Sequence, residues 1–159
     1  MAELIQLAPS LAILLTGCTA LGVAQQRDAA ATALAAELVC FVEDASDGPA
    51  WYSTADSCIH YDPAQGVTIA RQYGWGAVLG MYAHEVGHAI EHRDGRDHGD
   101  ERAADRWAGC ALARMGESMR STEAFLTDRN PGPPAYESTD VRIADTVHGF
   151  NKCATSAND

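Results

Sequence analysis

The stretch His84-Glu85-Val86-Gly87-His88, followed thirteen residues after His88 by Glu101-Arg102-Ala103-Ala104-Asp105, decides how the rest of the chain is read. On a helix, residues at i and i+4 share a face about 6 Å apart, so His84 and His88 can aim two imidazoles at one ion. Glu85 adjoins the first of them and can take a proton from water that the ion activates. The pattern of a catalytic zinc site is three protein ligands with the fourth position left to water. The intervening residues are enough for the helix opening near Glu101 to fold back antiparallel to the first. Glu101 then completes a His₂Glu set, and Asp105, on the same face, can hold a ligand imidazole by its second ring nitrogen.

Other third ligands fit less well. His92 lies about 12 Å along the axis from His84, too far to share its ion, and reads as a surface residue. The pattern H-E-x-x-H-x-x-G-x-x-H would need its glycine at Glu91 and its ligand at Asp94, and Glu91 does not readily make the sharp turn that glycine supplies. His98 is a loop residue within reach of the cleft.

Working outward, residues 68–92 read as one helix despite Gly74, Gly76, Gly80 and Gly87, a number of glycines that implies close packing against a neighbour. Gly95 and Gly99 mark a loop. Asp100 is a good N-cap for a helix running to Met115, a short helix is expected over 122–128, and Asn130-Pro131-Gly132-Pro133-Pro134 is a break. Ser138 can cap a last helix through Val141, Ile143, Ala144 and Val147 to about Phe150. Upstream, 51–61 alternates aromatic and β-branched residues and reads as one or two short strands. Residues 27–42, with Leu34, Leu38, Phe41 and Val42 at helical spacing, read as an amphipathic helix. Trp107 is expected to face the motif helix, and Arg102 and Arg106 to form surface ion pairs.

The run from Leu4 to Ala24 is apolar and uncharged, long enough to cross a bilayer as a helix. Within it, Leu15-Thr16-Gly17-Cys18 resembles the lipobox of bacterial lipoproteins, although no basic residue precedes the run. The organisation expected is therefore a signal or membrane-anchor segment over 1–26 and one domain over 27–159. Setting Cys18 aside leaves Cys40, Cys58, Cys110 and Cys153, an even set suited to two disulfides outside the cytoplasm, with three connectivities open. Twenty-two acidic against eleven basic residues give a net charge of −11, which argues against nucleic acid or an anionic membrane surface as the main partner. The 159 residues suffice for one sizeable core.

Several segments together carry a family resemblance: Gly48-Pro49-Ala50-Trp51-Tyr52, Cys58-Ile59-His60-Tyr61-Asp62, Ala83 to His88, Glu101 to Gly109, and Ser138-Thr139-Asp140-Val141-Arg142-Ile143 before Gly149-Phe150. In this order they resemble the neutral zinc metallopeptidases, small bacterial gluzincin-like proteins, over roughly the last two-thirds of the chain. The resemblance implies an α+β, mostly helical minimal zincin, with zinc held by His84, His88 and Glu101, Glu85 as general base and Asp105 in support. It implies a hydrolase acting on peptide or protein substrates, and leaves partner subunits open. The oxyanion of such a reaction calls for a hydrogen-bond donor, for which His148, Tyr136 and Tyr82 are the available types. A second reading makes the chain a membrane-anchored scaffold that binds a partner without cleaving it. Glu85 argues against that, since a site needing only an ion has no use for a base.

Overall fold

A computed structural model describes residues 40–46, 48–130 and 137–155. Three strands are followed by five helices: β1 (Cys40–Glu43), β2 (Ala50–Ser53), β3 (Cys58–Tyr61), α1 (Pro63–Tyr73), α2 (Trp75–Arg93), α3 (Glu101–Met115), α4 (Arg120–Arg129) and α5 (Thr139–Thr155). The architecture is α+β and mostly helical. The expected segment 1–26, with Cys18, lies outside the described residues. No helix among the described residues is long and apolar enough to cross a membrane.

The sheet has the order β1-β3-β2, with β1 parallel and β2 antiparallel to β3. Residues 40–43 are thus a strand, where helical spacing had predicted the end of a helix. Cys40 pairs with Cys58 in the ladder and bonds to it as a disulfide, and aromatic and β-branched Phe41 and Val42 suit a pleated surface. Residues 27–39 lie outside the described residues. The inward-facing Phe41 and Tyr61 meet Tyr82 of α2 edge to face, with ring centroids 6.0 to 6.5 Å apart.

The single helix expected over 68–92 is two. Asp62-Pro63 starts the first: Asp62 Oδ1 accepts from the backbone N–H groups of Ala64 and Gln65, and Pro63 takes the first helical position. Gly74, at φ +96, then breaks the chain between α1 and α2 in a conformation a side chain would resist. Ile69 of α1 packs with Ala77, Val78 and Met81 of α2, and Tyr73 and Phe125 of α4 close over them. The other boundaries fall close to expectation, save that α5 continues five residues past Phe150.

Helices α3 and α5 form the most extensive helix pair. Gly109 and Gly149 sit at their crossing, and a Cβ on either would overlap a backbone carbonyl opposite, that of Thr146 or Arg106. The Cys110–Cys153 disulfide joins the same two helices. Arg102 and Arg106 both bind Asp145, a buried carboxylate on α5, so these arginines tie helices together instead of forming the expected surface pairs.

Candidate metal centre

Helix α2 is long because nothing interrupts the 3.6-residue repeat from Trp75 to Arg93, and its buried face carries Met81, His84 and His88 one turn apart in succession. Helix α3 is fixed at its start by Asp100, whose side chain accepts from Ala103 N–H, and this cap puts Glu101 and Asp105 on the first turns facing α2. The two helices pass antiparallel, Glu101 lying against His88 and Asp105 against His84. Gly87 makes the approach feasible, because a Cβ there would come within 2.8 Å of the Ala104 Cα. Trp107 does face α2, donating its indole N–H to Glu91.

His84 Nε2 and His88 Nε2 are 3.0 Å apart, and the Glu101 carboxylate lies 3.1 Å from the first and 3.5 Å from the second. These donor atoms all fall within 4.8 Å of one another, close enough to share one ion. On the far side of His84, Nδ1 is 2.9 Å from Asp105 Oδ1, an arrangement that turns Nε2 toward the cluster. Asp105 is gripped in turn by Arg142 of α5, Nε to Oδ2 at 2.9 Å and Nη2 to Oδ1 at 2.8 Å. Both histidines, Asp105 and Arg142 are buried, and Glu101 is half-buried.

The electrostatics suit a cation. Among the described residues, Glu85, Glu101 and Asp105 surround the two imidazoles with Arg142 as the neighbouring cation, leaving an excess of negative charge when the imidazoles are neutral. Burial lowers the pKa of His84, but the hydrogen bonds to Asp105 and Glu101 outweigh it and raise the value to about 9. Burial and the neighbouring His84 charge push His88 down. Burial pushes Asp105 up, and its bonds to His84 and Arg142 more than reverse this. Glu101 Oε2 is buried with His84 Nε2 3.1 Å away, and His88 Nδ1 is buried without a hydrogen-bond partner. Two imidazoles and a carboxylate converging at these distances fit a divalent ion bound by His84, His88 and Glu101.

Glu85 is half-buried on the flank of this cluster. Its Oε2 accepts from the backbone N–H of Tyr52 on β2 at 2.8 Å. Burial pushes its carboxyl above the ordinary value, opposed by the His84 charge and the Tyr52 N–H. Beside Glu85 and His84 opens a cavity of about 540 Å³, walled by Ile69, Met81, Phe125 and Leu126 and rimmed by Trp51 and Arg129.

Of the expected oxyanion donors, Tyr82 is committed to the aromatic cluster under the sheet, its hydroxyl buried and its pKa raised by that burial. His148 is exposed on α5, and Tyr136 lies outside the described residues. His92, read as a surface residue, is half-buried, with Nδ1 2.6 Å from the Tyr52 hydroxyl and its ring against His98. His98 is exposed in the α2–α3 loop. Sequence reasoning gave no role to Arg142 or Tyr52. Arg142 had a faint signal, a cation between Val141 and Ile143 on a helix with a buried face. Tyr52 had none, because it acts through its backbone N–H. In comparisons with known proteins, no family model, no curated protein and no solved structure matches the chain.

Proposed function

We propose that this protein is a zinc-dependent metallopeptidase of the minimal gluzincin type, hydrolysing peptide bonds with Glu85 as general base. The observation that carries the reading is the placement of Glu85. A carboxylate with no share in the three-donor cluster is held at its edge, beside a cavity of mixed polar and apolar lining, with the outer support of the ligands already in place. A site built only to hold an ion would need no such group.

When bound, a zinc ion at His84, His88 and Glu101 acidifies water and polarises a carbonyl. The chain's own residues do the rest. Glu85 takes a proton from the attacking water and returns it to the leaving amine, a role for which its raised pKa is suited. Asp105 and Arg142 keep the His84 imidazole turned inward. Met81, Phe125 and Leu126 offer apolar contact to a side chain of the substrate in the cavity beside Glu85, where Gln65, Thr122 and Asn130 supply polar lining. Zinc, rather than a harder cation, is favoured by a donor set of two imidazoles and one carboxylate.

Two disulfides support a working place outside the cytoplasm, where such bonds persist. With the lipobox-like Leu15-Thr16-Gly17-Cys18, we infer an enzyme anchored at a membrane surface through its N-terminal segment.

Elemental mass spectrometry on the purified chain tests the metal, and hydrolysis of a broad peptide library tests the chemistry. The wild type is expected to carry about one zinc per chain, as a single His₂Glu site requires. The double variant His88→Ala, Glu101→Ala should carry none, and Glu85→Gln should keep zinc and lose hydrolysis. Zinc absent from a folded wild type would sink the reading, and full activity in Glu85→Gln would remove the assigned base.

A further inference from the structure

Around the axis of α2, His92 follows Glu85 by seven residues, close to two full turns, and so shares its face within about 20°. One residue of β2 touches both. The backbone N–H of Tyr52 donates to Glu85 Oε2 at 2.8 Å, and its phenol oxygen lies 2.6 Å from His92 Nδ1. The Tyr52 ring also meets the His92 ring edge-on, with centroids 5.7 Å apart. A single tyrosine is thus fastened to the motif helix at two points two turns apart.

The arrangement matters because of where β2 lies. It is a four-residue edge strand, paired on one side with β3 and facing the helix with the other. A short edge strand with one ladder is free to rock about that ladder unless something else fixes it. Among the described residues, the Tyr52 N–H is also the one hydrogen bond made to the Glu85 carboxylate. The position of that carboxylate therefore depends on where Tyr52 stands, and Tyr52 is tied to the helix at its far end by His92. The bond engages Oε2 alone, so Oε1 stays available to a proton.

We propose that Tyr52, clipped by His92, is a positioning residue for Glu85, with the phenol–imidazole bond holding the strand edge so that its N–H fixes the general base. This rests on the reading of Glu85 as the base. It assigns to His92 a part in the site that its distance from His84 had seemed to deny.

The test uses the full, zinc-loaded chain with Tyr52→Phe, His92→Ala, His92→Gln and Glu85→Ala. Hydrogen exchange at the amide of position 52 reads the clip without reference to activity. That amide should exchange about tenfold faster in Tyr52→Phe, His92→Ala and Glu85→Ala, and near the wild-type rate in His92→Gln, which keeps a hydrogen-bonding partner for the phenol. In peptide hydrolysis, kcat should fall about ten- to a hundredfold in Tyr52→Phe and His92→Ala, with KM and zinc content unchanged and most of the loss restored in His92→Gln. Wild-type exchange at position 52 in both Tyr52→Phe and His92→Ala would overturn the proposal. So would a loss of kcat that merely tracks lost zinc or lost folding. If Tyr52→Phe fails to fold, the two His92 variants give the same answer. A wild type that binds zinc and cleaves nothing would sink the peptidase reading, and the exchange measurement would still decide the clip.

Discussion

Arg142 grips Asp105 through two parallel hydrogen bonds, and the Asp105 oxygen that accepts from Nη2 also lies 2.9 Å from His84 Nδ1. One buried guanidinium on α5 thereby reaches, through a carboxylate on α3, an imidazole on α2. The same Nη2 stands 3.3 Å from His84 Nδ1 and 3.9 Å from Glu101 Oε2. Arg142→Met removes the charge and both bonds while keeping much of the volume, and leaves Asp105 buried against the imidazole alone. Breaking a buried pair in this way costs about 3 to 5 kcal/mol, and losing outer support for a ligand weakens metal binding about ten- to a hundredfold. Urea unfolding and zinc titration of the variant should show both effects. Arg142→Lys should recover part of the stability and little of the affinity, because an ammonium cannot reproduce the planar two-bond grip.

A second ionic arrangement sits on the outer face of the sheet. His60 bridges Asp56 through Nε2 at 2.9 Å and Asp44 through Nδ1 at 3.1 Å, with Trp51 stacked on its ring. Burial lowers the His60 pKa, but the hydrogen bonds to Asp56 and Asp44 outweigh it and lift the value above the ordinary 6.5. A raised histidine pKa stabilises the fold in its protonated form, fully below about 6.5, and the contribution is lost as pH rises through the folded-state value. Melting temperatures of the wild type and His60→Asn, measured from pH 5 to 9, should therefore differ most at the acid end and converge at the alkaline end. A gap that widens with pH would contradict the assignment.

How far the sequence discloses this molecule depends on what each residue does locally. Helix α3 is legible from end to end because its signals are local: Asp100 caps its start, Gly116 takes a left-handed conformation after its last turn, and the apolar spacing between them is regular. The facing of Glu101 and Asp105 toward His84 and His88 follows from that phase. The α1–α2 division is not legible, because a glycine inside an apolar repeat is compatible with both a tolerated residue and a break, and only φ +96 at Gly74 decides. Residues 40–43 read as the end of a helix because their spacing permits it, whereas a parallel ladder and a disulfide to Cys58 make them a strand. Those partners are eighteen residues away and leave no mark on the local pattern. Arg142 and Tyr52 escape for a related reason, since they act on the site from elements remote in sequence, one of them through its main chain.

The α3–α5 crossing depends on two glycines that sequence inspection treats as ordinary. Gly109→Ala places a methyl group against the Thr146 carbonyl, and Gly149→Ala against that of Arg106. Backbone cannot yield as a flexible side chain does, so the helices must move apart, at a cost of about 1 to 3 kcal/mol or more. Because Arg142 rides on α5, the shift should also reach the metal centre. Each alanine variant is expected to melt earlier and to bind zinc more weakly, as thermal unfolding and zinc titration would show. Unchanged zinc affinity alongside lowered stability would mean that the Arg142–Asp105 grip holds independently of the crossing.

The two disulfides close loops of different length, and this ranks their contributions. Cys40–Cys58 spans 18 residues and Cys110–Cys153 spans 43. On the chain-entropy account, closing the shorter loop stabilises by about 3 kcal/mol and the longer by about 4 kcal/mol. Cys110→Ala with Cys153→Ala should therefore lower the unfolding free energy by roughly 1 kcal/mol more than Cys40→Ala with Cys58→Ala, measured by urea unfolding. The two also differ in what they anchor. The longer bridge secures the end of α5 whose beginning carries Arg142, while the shorter secures β1, remote from β2 on the other edge of the sheet. Loss of the Cys110–Cys153 bond should accordingly reduce zinc affinity, and loss of Cys40–Cys58 should leave it near the wild-type value. The reverse ranking in zinc titrations would show that α5 is held in place by its glycine crossing and ion pairs alone.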